Sequence, residues 1–153
     1  MKRAGAGRVD VVDLNAERLQ TAVRWGAATP SPRPTSLEMP RGWDVVIDCT
    51  GVVAAIEDGL PRVDKGGTFL QFGVTGMHDT AKWNPYVVFN QEITITGSMA
   101  VLRAYERAAA LFADGVLDPD VMISHRYGLE DYPKALQQFA DGVGRKIQVN
   151  PGA

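Results

Sequence analysis

The chain has 153 residues, 45% hydrophobic and 22% charged, enough for a real core and not the composition of a disordered segment. A net charge of -2, a pI near 5.6 and scattered basic residues argue against a phosphate-neutralising surface, so nucleic acid is not an expected partner. No apolar run reaches the length of a membrane span and Met1 to Arg3 lead into small residues instead of a secretory hydrophobic region, so a cytoplasmic location is expected; Cys49, His78 and His125 form no disulfide pair and no closely spaced zinc-ligand set.

In chain order, Met1 to Arg3 read as the last turn of a helix, with Gly5 and Gly7 as its cap. The Gly-Ala-Gly is not a dinucleotide loop, because the position of a third glycine falls on Asp10, inside a strand. Val9, Val11, Val12 and Leu14 form an apolar strand of the kind buried on both faces, and it ends at an acid, Asp13. Asn15 caps a helix to about Trp25, with Leu19, Ala22 and Val23 on its inner face and Gly26 at its end. Ala27 to Thr29 give a short strand. The prolines between Pro30 and Gly42 then forbid a regular central strand and leave room for a single helical turn near Ser36.

Trp43 to Cys49 is the next apolar strand, followed by Thr50-Gly51 and a helix from Val52 to Val63 that buries Val53, Ile56 and Leu60, its end distorted by Pro61. Lys65-Gly66-Gly67 is a turn into a strand from Thr68 to Val74. Alternating strands and helices with short connections imply parallel pairing. Thr75 to Asn90 is irregular, with the apolar run Pro85 to Phe89. Gln91 to Ser98 alternates like a half-exposed edge strand. A helix over Leu102 to Ala113 stops at Gly115, Val121 to Tyr127 is extended, Glu130 or Asp131 opens a helix to Asp141, and Lys146 to Val149 is a last strand.

An acid at the carboxyl end of a buried strand is the usual reader of a ribose diol on an adenine nucleotide. The segments RVDVVDLNAERLQTA, WDVVIDCTG, KGGTFLQFGV, FNQEITITGS, HRYGLEDYPKAL and RKIQV occur here in an order that resembles the C-terminal, cofactor-binding part of zinc-dependent alcohol and polyol dehydrogenases of the medium-chain dehydrogenase/reductase family. The resemblance covers nearly the whole chain. It implies an α/β fold: an incomplete Rossmann-type doubly wound parallel sheet, without the first strand and its Gly-rich loop, over residues 1–100, then a C-terminal helix and strand segment over 101–153 that packs on a catalytic domain in the family. The strands Val9 to Asp13 and Asp44 to Cys49 then lack a shared partner, and each buried backbone group left unpaired costs about 1 to 3 kcal/mol.

The resemblance also implies a site. Asp13 takes the adenosine ribose hydroxyls with Arg18 beside them; Thr50 and Gly51 lie against the cofactor; the main chain of Phe72, Gly73 and Val74 meets the nicotinamide carboxamide, with that of Ser98 to Ala100 nearby; and Lys146 lies on the pyrophosphate. No catalytic residue and no metal ligand is assigned, although the parent family uses zinc. A 2′-phosphate at about 4 Å from an ionised Asp13 would be disfavoured by roughly 4 kcal/mol at an effective dielectric near 20, so NAD is expected over NADP, with Arg18 offsetting part of the difference. The implied reaction is hydride transfer between a secondary alcohol or polyol and nicotinamide, with no turnover from this chain alone. The expected partners are nicotinamide cofactor, a small alcohol in the full-length family, and a second copy paired through the Gln91 to Ser98 edge.

Two other readings stand beside this one. The first is a non-catalytic binding or oligomerisation fragment; the second, a Rossmann-like methyltransferase, lacks the reversed final strand pair usual for that fold. Residue by residue, Cys49 reads as a small buried hydrophobe, His125 as a structural hydrogen-bonding residue in a strand, His78 as a loop residue without a role, and Tyr86 to Phe89 as core or interface.

Overall fold

The computed structural model describes all residues except 2–3, 35–36, 38, 100–103 and 153. The helical ending at Lys2 and Arg3, the helical turn at Ser36, the start of the helix at Leu102 and the assignment of Ala100 therefore lie outside the described residues. The chain forms two compact units: Met1–Arg33 with Tyr105–Ala153, and Pro34–Ala104.

In the first unit, β1 (Asp10–Val12) leads into α1 (Ala16–Arg24) and then β2 (Thr29–Ser31). Asn15 caps α1 as its residue type predicts, its side-chain oxygen accepting from the Glu17 and Arg18 amides. Gly26 follows α1 with a φ of 89°, the left-handed turn that only glycine adopts without strain. β1 and β2 pair in parallel, with Val11 opposite Pro30. Pro30, expected to exclude a regular central strand, is accommodated because β2 has no second neighbouring strand among the described residues, and a sheet edge does not need its missing N–H.

Three expectations for this unit need correction. β1 is not buried on both faces: Val12 is 38% exposed, and Leu14, beyond the end of the strand, is 89% exposed. On α1 the buried residue is Thr21, whose hydroxyl bonds back to the Glu17 carbonyl, while Val23 is exposed. Val121 and Met122 are not extended; Asp118 caps a short helix α5 (Pro119–Met122) that follows α4 (Tyr105–Ala113). β6 (Ile123–Gly128), α6 (Tyr132–Ala140) and β7 (Lys146–Asn150) complete the unit, with β6 and β7 parallel. His125, in β6, meets the Ser124 hydroxyl through its Nδ1, as a structural histidine does.

The second unit carries the larger core. β3 (Trp43–Asp48), α2 (Val53–Gly59), β4 (Val63–Gln71), α3 (Pro85–Asn90) and β5 (Thr94–Gly97) build a parallel sheet in the order β3-β4-β5. Ile56 and Leu60 pack with Val63, Phe69 and Ile93, and Val46, Ala81, Val87 and Val88 close around them. Each such aliphatic or aromatic side chain contributes about 1.5 to 3 kcal/mol when fully buried. Pro61 falls in a 3-10 turn, Leu60–Arg62, that tightens the end of α2.

Here too the segment boundaries shift. The Lys65-Gly66-Gly67 turn is an irregularity inside β4, since Val63 pairs with Trp43 but Thr68 already pairs with Val45. Gly66 has a φ of 74°, and Gly67 leaves space for the Val63 side chain, which an added methyl would meet at 2.7 Å. β4 ends at Gln71, so Phe72 to Val74 form a turn beyond the strand. The apolar run after Asn84 is helical: Asn84 accepts from the Tyr86 amide and Pro85 starts the first turn.

Candidate functional site

Asp13 sits just past the carboxyl end of β1, its amide bonded to the Ser31 carbonyl at 3.2 Å. One carboxylate oxygen accepts from the Asn15 amide at 2.8 Å, and the other lies 3.8 Å from the Arg18 guanidinium. Arg18 also reaches the Gly144 carbonyl at 3.4 Å. An open pocket of about 200 Å³ is lined by Arg18, Phe139, the Gly142 to Gly144 turn, Arg145 and Lys146. The first unit thus gathers Asp13, Arg18 and Lys146, residues far apart in sequence.

Arg145 and Glu17 went unrecognised in the sequence. The Arg145 guanidinium pairs with Glu17 in the first turn of α1 and donates to the Val121 carbonyl at 2.8 Å, while its amide donates to Ser124 Oγ at 2.9 Å. Gly144 is buried with a φ of 77°, and a methyl there would stand 2.4 Å from Ser124 Oγ and 2.7 Å from His125 Nδ1. Such crowding fixes the path of the chain into Lys146. A Gly-x-Gly before a final strand was the available signal.

In the second unit Thr50 and Gly51 follow β3, and Phe72, Gly73 and Val74 follow β4, all at the carboxyl ends of parallel strands, where open α/β sheets bind ligands. Between them lies Asp48. Its Oδ1 accepts from the Thr50 amide at 3.0 Å and the Thr50 hydroxyl at 2.7 Å; its Oδ2 accepts from the Gly51 amide at 2.9 Å and Gln71 Nε2 at 2.7 Å. The Asp48 carbonyl takes the Phe72 and Gly73 amides at 3.0 and 2.8 Å. Burial of Asp48 raises its pKa, but the hydrogen bonds from Thr50, Gly51 and Gln71 outweigh it and hold the carboxyl below the ordinary value.

Cys49, expected to be a small buried hydrophobe, is exposed just past the end of β3. Asp48 points inward at 6% exposure, and Cys49 is the exposed residue. Partial burial of its sulfur and the adjacent Asp48 charge push the Cys49 thiol up, away from a reactive thiolate. Asp48 was legible as a second strand-end acid, the counterpart of Asp13. Ser98 follows β5 and its amide donates to the Gln71 carbonyl at 3.1 Å.

Zinc does not fit the described residues. Among them no group of three or more His, Cys, Asp or Glu comes together, and His125 is engaged by Ser124. Nor is any helix among them long and apolar enough to cross a membrane.

Residues 1–114 match the family model described as zinc-binding dehydrogenase. Over 153 residues the chain is 32% identical to D-arabinitol dehydrogenase 1 of Uromyces fabae, covering 99% of this chain and 42% of that protein. Sorbitol dehydrogenase of Mus musculus is 28% identical over 97% of this chain and 44% of its own length. A putative zinc-binding dehydrogenase from Sinorhizobium meliloti 1021, solved bound to NADP, superposes with a TM-score of 0.88 at 27% identity, covering 98% of this chain and 47% of that one. The chain spans less than half the length of these relatives, and its α/β architecture is that of their Rossmann-type cofactor-binding part. On the family match, the chain belongs to the zinc-binding dehydrogenase family.

Proposed function

We propose that this chain is the cofactor-binding portion of an NAD-dependent dehydrogenase acting on a secondary alcohol or polyol. The observation that carries the reading is the assembly of Asp13, Arg18 and Lys146: Asp13 stands 3.8 Å from Arg18, and Arg18 and Lys146 line one open pocket. Asp13 accepts hydrogen bonds from the ribose hydroxyls with Arg18 beside the same ribose, and Lys146 supplies positive charge for the pyrophosphate. Gly51 and Gly73 let the two turns of the second unit pack main chain against main chain, and the nicotinamide lies against these turns, with Thr50, Phe72, Val74 and Ser98 around it. When bound, NAD supplies the acceptor of the hydride. The chain's own residues bind and orient it; no step through a metal is derived from them.

NAD is proposed over NADP because the additional 2′-phosphate of NADP would lie beside the Asp13 carboxylate, although Arg18 offsets part of that repulsion. A polyol substrate is supported by the names of the arabinitol and sorbitol dehydrogenase relatives. The test is calorimetry of NAD binding to the 153-residue chain. Micromolar affinity lost in Asp13→Ala supports the reading, and no heat of binding overturns it. Reduction of NAD by the chain with arabinitol or sorbitol would overturn the further expectation that binding occurs here without turnover.

A second reading, assembly, is favoured by one surface. Tyr86 and Phe89 of α3 are 63% and 79% exposed, and Ile95 of the adjoining edge strand β5 is 40% exposed. We propose that two copies pair along Gln91 to Ser98; a monomeric mass by light scattering for the folded chain would remove this reading.

A further inference from the structure

We propose that Asp48 is a positioning residue, whose buried carboxylate and carbonyl hold the Thr50-Gly51 turn and the Phe72 to Val74 turn together as one cradle for the nicotinamide end of the cofactor. This rests on the cofactor reading above and assigns a role to a residue that does not itself touch the cofactor.

Donors converge on Asp48 from both turns: Thr50 and Gly51 from one side, Gln71 from β4, and the Phe72 and Gly73 amides at its carbonyl. Gln71 extends the link, since its Nε2 donates to Asp48 at 2.7 Å and to the Gly73 carbonyl at 2.8 Å. Only an ionised carboxylate accepts from so many donors without presenting one of its own; asparagine would turn an NH₂ toward at least one N–H or O–H.

The fold alone does not call for this arrangement. β3 and β4 are already in register, with Asp48 opposite Gln71, and an apolar side chain at a buried position commonly costs less than a desolvated charge. What the carboxylate adds is a fixed conformation for turns that are otherwise solvent-facing, where Phe72 is 48% and Val74 87% exposed. Gly73 completes the lock, since a methyl there would stand 2.6 Å from Asp48 Oδ2 and 2.8 Å from the Thr50 nitrogen.

The experiment compares NAD with ADP-ribose, which lacks only the nicotinamide, by titration calorimetry on the 153-residue chain and its Asp48→Asn and Gln71→Met variants. The expected result is a loss of about tenfold in NAD affinity for Asp48→Asn with ADP-ribose changed by less than about twofold, and a smaller loss of the same selectivity for Gln71→Met. An equal loss for both ligands, or unchanged NAD affinity, in variants that keep the unaltered circular dichroism spectrum overturns the positioning role. If Asp48→Asn does not fold, Gln71→Met decides by the same criterion. Failure of the unaltered chain to bind either ligand overturns the cofactor reading itself, a result distinct from those two.

Discussion

A methyl group on Gly73 would lie 2.2 Å from the Gly51 nitrogen, so these two glycines meet main chain to main chain at the ends of neighbouring strands. No side-chain rotation relieves such a contact. Gly73→Ala is expected to destabilise the chain by about 1 to 3 kcal/mol, as over-packing does, with a lowered urea midpoint as the readout. Gly5→Ala is the control for crowding: its φ of 92° carries backbone strain, but no atom lies within 4 Å of the added carbon.

Acid sensitivity follows from Asp48. Its folded carboxyl is held below the usual value of 3.8, so its contribution to stability is complete above that value and is lost as pH falls through the lower folded one. Asp48→Asn is expected to lower stability near neutral pH by about 1 to 3 kcal/mol. The variant should then lose less than the unaltered chain between about pH 5 and pH 2. Urea midpoints at both ends of that range check the difference; parallel curves would show that Asp48 is not the group responsible.

Arg145 ties the start of β7 to the first turn of α1, through Glu17, and to the carboxyl end of α5, through the Val121 carbonyl. Its side chain is 21% exposed and that of Glu17 53%, so the charge pairing itself is worth no more than about 1 kcal/mol. In a double-mutant cycle of Glu17→Gln and Arg145→Met, the coupling should be about 0.5 to 1 kcal/mol. Arg145→Met alone should cost more, because the Val121 carbonyl also loses its donor. Equal costs for the two single variants would contradict this division.

Glu92 has a φ of 54°, a left-handed conformation, in the turn between α3 and β5. A side chain carrying a Cβ holds that conformation at a cost of about 1 kcal/mol or more, which glycine avoids at some entropic expense. Glu92→Gly is expected to raise stability by about 0.5 kcal/mol. A lower thermal midpoint would indicate that the glutamate makes a compensating contact.

Much of this architecture was legible because local chemistry and tertiary structure agree. Asn15, Gly26 and Gly115 mark helix ends through capping and left-handed geometry, and the alternation of apolar strands with helices fixes parallel pairing. The failures come where tertiary context decides. Nothing in Asp48-Cys49 says which of the two faces inward; the answer lies in Gln71 and Gly73, which are brought there by the register of β4. The convergence of Arg145 on Glu17 is likewise invisible, because it joins residues at opposite ends of the sequence. Gly66-Gly67 reads as a turn by composition, and becomes an irregularity within a strand because Val63 finds a partner in Trp43 before it.

The arrangement of β3 beside β4, with no further strand on its other side among the described residues, has a practical consequence. A strand rich in valine and isoleucine, with no proline or lysine along its length, is a template for the addition of another extended segment. Concentrated preparations of this chain should therefore self-associate with a gain of β-sheet signal, and Val45→Lys, at a position already 43% exposed, should suppress it. Handling conditions, more than affinity, will then decide whether cofactor titrations succeed: low protein concentration and a peptide that occupies the β3 edge belong in the first trial.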